Sequence, residues 1–159
     1  MATYYVSTTG SDGNLGTFSS PWATWQKGFS ELEAGDTLYI RGGTYYPTAT
    51  TNTVWDLHYC GVAITNTDGT YTNNIRVENY SGETPILNCS SITNAGARIG
   101  IEFYNCNFWY LKGLTVSYAT QYSSFYGAGG FWCFSCNNFT IEKCVSHDNG
   151  GSGFTILWN

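Results

Sequence analysis

The feature that most constrains this chain is a recurrence in its second half. Ile101, Phe103, Cys106, Trp109, Leu111 and Leu114 return about thirty positions later as Phe131, Cys133, Cys136, Phe139, Ile141 and Cys144. Short alternating apolar runs that repeat at a few tens of residues, with polar corners between them, mark the coils of a solenoid. Each coil then buries its inward side chains against the coils above and below. The predicted fold is all-β, a parallel β-helix, with a β-sandwich as the alternative arrangement of the same short strands. The insertion from Gln121 to Gly130 lengthens the repeat beyond a bare coil.

Composition agrees with that reading. Aromatic residues make up 18% of the 159 residues, Gly occurs 19 times and Tyr 13 times. Strand formers and turn formers dominate, and good helix formers are scarce.

The amino-terminal block differs from the repeats. Tyr4 to Val6 reads as a strand, followed by the Gly/Ser/Asn loop TTGSDGNLGT. Ser20-Pro21 has the form of an N-cap followed by a first-turn proline. Trp22, Trp25, Phe29 and Leu32 then recur at spacings of three and four, as one apolar stripe on a short helix. Ala34-Gly35-Asp36 ends it, and Leu38 and Ile40 alternate with Tyr39 and Arg41 as a half-buried strand. Gly42-Gly43 turns the chain toward Thr44-Tyr45-Tyr46.

Residues 1–46 are therefore expected to form an amino-terminal cap and first coil. Residues 47–74, rich in Thr and Asn, read as a long excursion with one strand near Val62–Ile64. Residues 75–159 read as further coils, beginning with the inward pair Ile75 and Val77 and the turn Tyr80 to Pro85. The whole is expected to be one domain whose carboxyl-terminal end is uncapped, the front part of a longer protein. An open end exposes strand edges and the core cross-section, so pairing with a second copy is expected there.

Charge excludes some partners. Six Lys and Arg stand against eleven Asp and Glu, a net charge of −5. The basic residues are scattered, whereas nucleic-acid binding needs them clustered. No run of about 18 apolar residues is present, so no membrane helix is expected. Met1-Ala2-Thr3 is no signal peptide, lacking a basic start and an apolar stretch; it stands in place of a removed leader if the protein is secreted.

The six cysteines, Cys60, Cys89, Cys106, Cys133, Cys136 and Cys144, allow about fifteen pairings, which sequence does not decide. Disulfides and buried free thiols both fit. Cys106 and Cys136 are expected in adjacent coils. Cys133, Cys136, Cys144 and His147 have the residue types of a zinc site. However, Cys133 and Cys144 replace core residues of the preceding repeat, which aims them inward and away from His147.

The blocks YYVSTTGSDGNLGT, the helix after SSPW, AGDTLYIRGGTY and SGETPIL resemble the amino-terminal region of right-handed parallel β-helix proteins. They are most similar to the secreted, pectate-lyase-type polysaccharide lyases of family 9. The resemblance implies secretion, an acidic polysaccharide such as pectate as partner, and calcium-assisted β-elimination with aspartate ligands and a lysine base. It implies calcium without identifying a site. Asp12, Glu31, Glu33, Asp36, Asp56, Asp68, Glu78, Glu83, Glu102, Glu142 and Asp148 include no adjacent pair. Ser146-His147-Asp148-Asn149-Gly150-Gly151 resembles an early coil corner, and Lys112 and Lys143 lie in equivalent repeats beside polar partners. Catalytic residues stay unassigned; a paired-carboxylate glycosidase would need two acids at a set separation, and nothing in the spacing supports Glu102 with Glu142 as that pair. Trp55, Tyr59, Tyr118, Tyr122, Phe125 and Tyr126 are candidates for stacking on sugar rings. A non-catalytic β-helix that binds carbohydrate or assembles end to end is the alternative.

Overall fold

A computed structural model describes residues 1–51, 57–124 and 127–157. The cap contributes β1 (Thr3–Val6) and α1 (Trp25–Ser30). The first coil follows as β2 (Thr37–Ile40), β3 (Gly43–Tyr45), the two-residue β4 (Thr50–Thr51) and the long β5 (His58–Thr65). The next coil is β6 (Ile75–Asn79), β7 (Pro85–Asn88) and β8 (Ala97–Tyr104). Then come β9 (Trp109–Lys112), β10 (Thr115–Ser117) and β11 (Ala128–Phe134), and last β12 (Thr140–Glu142), β13 (Val145–His147) and β14 (Ser152–Leu157).

These strands stack into three sheets, ordered β1-β2-β6-β9-β12, β13-β10-β7-β3 and β14-β11-β8-β5-β4. Every pairing between named strands is parallel except β4 with β5. The register reproduces the sequence repeat: Ile101 pairs with Phe131, Phe103 with Cys133 and Leu111 with Ile141. Inward rungs such as Val62–Ile101–Phe131 fill one continuous core. All six cysteines are unpaired, with Cys106 and Cys136 both buried in that core.

Corners carry the same periodicity as the core. Left-handed backbone recurs at Asn105 and Ser135, at Phe108 and Asn138, at Gly113 and Lys143, and at Tyr118 and Asp148. Corner side chains also bond along the axis. Asn105 Nδ2 donates to Asn66 Oδ1 at 2.7 Å, Asn107 N to Asp68 Oδ1 at 2.8 Å, and Asn137 N to Asn107 Oδ1 at 2.9 Å. Each corner thereby satisfies polar groups that a tight turn would otherwise leave unpaired.

The cap differs from expectation at both ends of its helix, which stops at Ser30, before Leu32 and the Ala34-Gly35-Asp36 segment. The helix begins at Trp25 with Thr24 as its N-cap, not at Ser20-Pro21. The reason is distant in sequence: Asp12 accepts from Ala23 N, Thr24 N and Thr24 Oγ1, at 2.9, 2.9 and 2.7 Å, and fixes the chain just before the helix. Trp22 consequently lies outside the helix and bridges Val6 in parallel fashion, so that it covers the free edge of β1. Its side chain is buried all the same, with Trp25, Phe29 and Leu32.

The segment 47–74 holds more order than its polar composition implies. It carries β4 and the eight-residue β5, whose residues pair with β8 along nearly their full length. The outer edge of β5 is closed by β4 and by the Gln26 side chain, which donates to Ala63 O at 3.2 Å and accepts from Ala63 N at 2.8 Å. A covered edge cannot recruit another strand.

The turn Tyr80–Pro85 is tied to the first coil. Arg41 Nη2 donates to Glu83 Oε1 at 2.7 Å, Arg41 Nε to Oε2 at 2.9 Å, and Gly42 N to Oε2 at 2.6 Å. The Arg41 guanidinium, and then the Gly42 N–H, hold the Glu83 carboxyl below its ordinary 4.5. A depressed acid contributes stability that is present above the ordinary value and lost as pH falls through the folded one. The thermal midpoint should therefore drop as pH falls below about 4.5, and drop less steeply in Glu83→Gln. Parallel midpoint–pH curves for the two proteins would refute this.

Candidate functional site

The longest sheet, β5-β8-β11-β14, presents its outward side chains in rungs, of which Ala63–Glu102–Trp132–Thr155 is the most unusual. It sits one residue along from the inward rung Val62–Ile101–Phe131–Phe154, as strand alternation requires. Just before both rungs the strands carry Gly61, Gly100, Gly130 and Gly153. A Cβ on Gly100 would lie 2.2 Å from Val116 Cγ1 and 2.7 Å from Gly130 O, and one on Gly130 would lie 2.8 Å from Gly153 O. Only glycine lets β8 pass this close to β10 and β11 this close to β13. Beyond the glycines, Cys60, Ala97 and Ile99 form a small cluster apart from the main core, packed with Ala63 and Trp132.

Glu102 sits beside this cluster at 0% exposure. Its Oε1 lies 3.0 Å from His58 Nδ1, and its Oε2 accepts from Cys60 Sγ at 3.0 Å. Burial, and then the neighbouring Glu102, push the Cys60 thiol well above its ordinary value, so Cys60 is a donor here and no nucleophile. A carboxylate on Nδ1 fixes the orientation and tautomer of the imidazole. The Trp132 ring meets His58 edge to face at 5.9 Å, and the Trp132 indole N–H is buried without a hydrogen-bond partner. A Glu-oriented imidazole beside an indole is an arrangement suited to proton handling and to stacking on a sugar ring.

Residue spacing alone gives no signal at His58 and singles out Glu102 only as half of a carboxylate pair. The pair with Glu142 does not form, because Glu102 lies on β8 and Glu142 on β12 of a different sheet. Glu142 instead accepts from the Tyr110 hydroxyl at 2.6 Å. Lys112 pairs in register with Glu142, so Lys112 and Lys143 are out of step by one residue. Lys112 Nζ lies 3.8 Å from Glu78, and the exposed Lys143 3.8 Å from Glu142.

The zinc-like spacing is divided between inside and outside. Cys133 and Cys136 are buried, and the Cys133 thiol is pushed up by its hydrogen bond to Cys136 and by burial. Cys144 is half-buried, while His147 is exposed and bonds Asp148 at 2.8 Å. Among the described residues, no three His, Cys, Asp or Glu side chains gather in a way that could hold a metal ion. Of the aromatic candidates, Tyr59 packs against the core, Tyr118 is exposed, and Tyr122 lies under Arg98, whose guanidinium carbon is 5.5 Å from the ring centroid. Trp55, Phe125 and Tyr126, together with Asp56, fall outside the described residues.

Three parallel sheets wound coil upon coil, with outward side chains laddered along the axis, define a right-handed parallel β-helix. Within that class the chain belongs to the Pel9A-like right-handed β-helix family, whose model matches residues 4–159. It is 27% identical over 161 residues to pectate lyase PEL9 of Emericella nidulans, covering 98% of this chain and 35% of that protein. Its fold resembles a rhamnogalacturonan lyase, with a TM-score of 0.64 at 22% identity, covering 99% of this chain and 50% of the other. It also resembles the crystal structure of pectate lyase Pel9A, with a TM-score of 0.64 at 19% identity, covering 98% of this chain and 38% of the other. The chain thus spans between a third and a half of the length of these relatives. No helix among the described residues is long and apolar enough to cross a membrane.

Proposed function

We propose that this chain supplies the first coils of a secreted, carbohydrate-active β-helix that acts on a uronate-containing polysaccharide such as pectate. The activity proposed for the whole protein is calcium-assisted β-elimination, in which a base removes the proton beside the carboxylate and the glycosidic oxygen departs. No step of that reaction is assigned to the residues described here. Their part is to hold the polysaccharide along the outer face of the longest sheet. The observation that carries this reading is the rung Ala63–Glu102–Trp132–Thr155, with its oriented His58, in a chain of the Pel9A-like family.

Affinity electrophoresis in gels containing polygalacturonate tests binding, and absorbance of unsaturated product with added calcium tests turnover. The expected result is retardation without turnover, with Trp132→Ala weakening binding about tenfold, or ~1.4 kcal/mol. With a net charge of −5, protein and polyanion repel, so retardation should increase as salt screens them. Unretarded migration at every salt concentration would sink the proposal.

A further inference from the structure

At the opposite end of the solenoid from β14, a cavity of about 480 Å³ lies between the cap and the first coil. That volume falls within the ~300–1,000 Å³ typical of small-molecule sites and far exceeds the ~30 Å³ share of one water. Its walls combine the aromatic side chains Trp25, Tyr45 and Tyr46 with the hydroxyl-bearing Thr44 and Thr50 and the carboxylate of Asp12.

One donor in this wall is unused. Trp25 is 1% exposed, and its indole N–H is buried without a hydrogen-bond partner. Other buried polar groups at the cavity are satisfied within the protein. The Tyr45 hydroxyl donates to Arg41 O at 2.8 Å, and the Gln26 amide is engaged by Ala63. An orphaned buried N–H costs about 1–3 kcal/mol, and this one belongs to a side chain that lines a space large enough to receive an acceptor. Burial opposes ionisation of Asp12, but hydrogen bonds from Thr24 and Ala23 outweigh it and hold its carboxyl below the usual range. The wall is therefore anionic at neutral pH.

The geometry points to a neutral-sugar site in this cavity, one that takes a pyranose with a hydroxyl or ring oxygen on the Trp25 indole N–H and an apolar face against the aromatic wall. Aromatic rings with few, placed polar groups are the usual composition of such sites. Asp12 selects against uronates, which separates this site from the polyuronate face proposed above; either can fail without the other.

The test is a two-dimensional NMR titration of the tryptophan indole N–H resonances in the intact chain. Methyl β-glucopyranoside, methyl β-galactopyranoside and galacturonate are added separately. At least one neutral glycoside should shift the Trp25 resonance saturably in the millimolar range, with galacturonate weaker by about tenfold or more. The Trp109 resonance, bonded to Thr67 O at 2.8 Å, should stay in place. Trp25→Phe assigns the resonance and should abolish binding measured by calorimetry. Should that variant fail to fold, Tyr46→Ala, at a side chain 65% exposed, should weaken binding severalfold with the thermal midpoint unchanged. No Trp25 shift with either neutral glycoside, an equal response to galacturonate, or undiminished affinity in Tyr46→Ala each overturns the assignment; a cavity filled by water alone gives the first of these.

Discussion

Trp109→Ala is expected to destabilise the protein by about 3–5 kcal/mol, lowering the thermal midpoint by roughly 10 °C or more for a domain of this size. Trp109 is 0% exposed and opens β9, the first strand of the third coil, with its ring against the cap helix. Its ring lies 6.2 Å from Phe29 of α1, nearly parallel, and 5.0 Å from Phe103, edge to face. Its indole N–H donates to Thr67 O at 2.8 Å, so truncation also orphans a carbonyl in the corner between β5 and β6. The cavity left behind opens between three segments far apart in sequence, which limits local collapse. Trp109→Phe keeps most of the contact and should cost less than half as much. Circular dichroism melts decide the matter, and a shift of under about 3 °C in Trp109→Ala would show that α1 does not depend on this contact.

Gly100→Val should be comparably severe, at about 3 kcal/mol. The new Cβ alone would come within 2.2 Å of Val116 Cγ1 and 2.7 Å of the Gly130 carbonyl. A side chain can rotate away, but the carbonyl belongs to the β8–β11 ladder and cannot move without breaking it. Pairing Gly100→Ala with Val116→Ala relieves the first clash and not the second, so the double variant should recover only part of the loss. Full recovery in urea unfolding would show that crowding by Val116 was the whole effect.

How much of this could be read from the chain depended on how local each cause was. The coil register from Ile101 to Cys144 was legible because equivalent core residues recur at one constant offset, and the structure pairs them as the repeat dictates. The corners were legible too, as the polar stretches between the apolar runs, though not the Asn and Asp bonds that run along them. The helix start was not, because Asp12 sets it from outside the local window. The extent of β5 was obscured by Gly61 and by a polar approach, which leave its apolar residues looking like a short island. The His58–Cys60–Glu102 group was hidden for a different reason. Its members are brought together by an offset of 39 residues between the first two coils, as at Asn66 and Asn105, where the later offset is 30. A repeat whose length changes cannot be extrapolated backward. The only available signal was the alternation of His58 and Cys60 in a strand otherwise built from apolar residues.

The left-handed corners, repeated at equivalent places in successive turns, make the molecule a ruler. Each coil climbs by one strand spacing, about 4.8 Å, and the corners forbid fractional steps. A polymer laid along the axis therefore meets marks at fixed intervals, and one whose own repeat differs drifts out of phase after a few units. Because Ala63, Glu102, Trp132 and Thr155 are chemically distinct, the marks are also individually labelled. Insertion of one whole coil would lengthen the scale by a tick and leave every existing label legible, while insertion of a few residues within a strand would erase the scale from that point on.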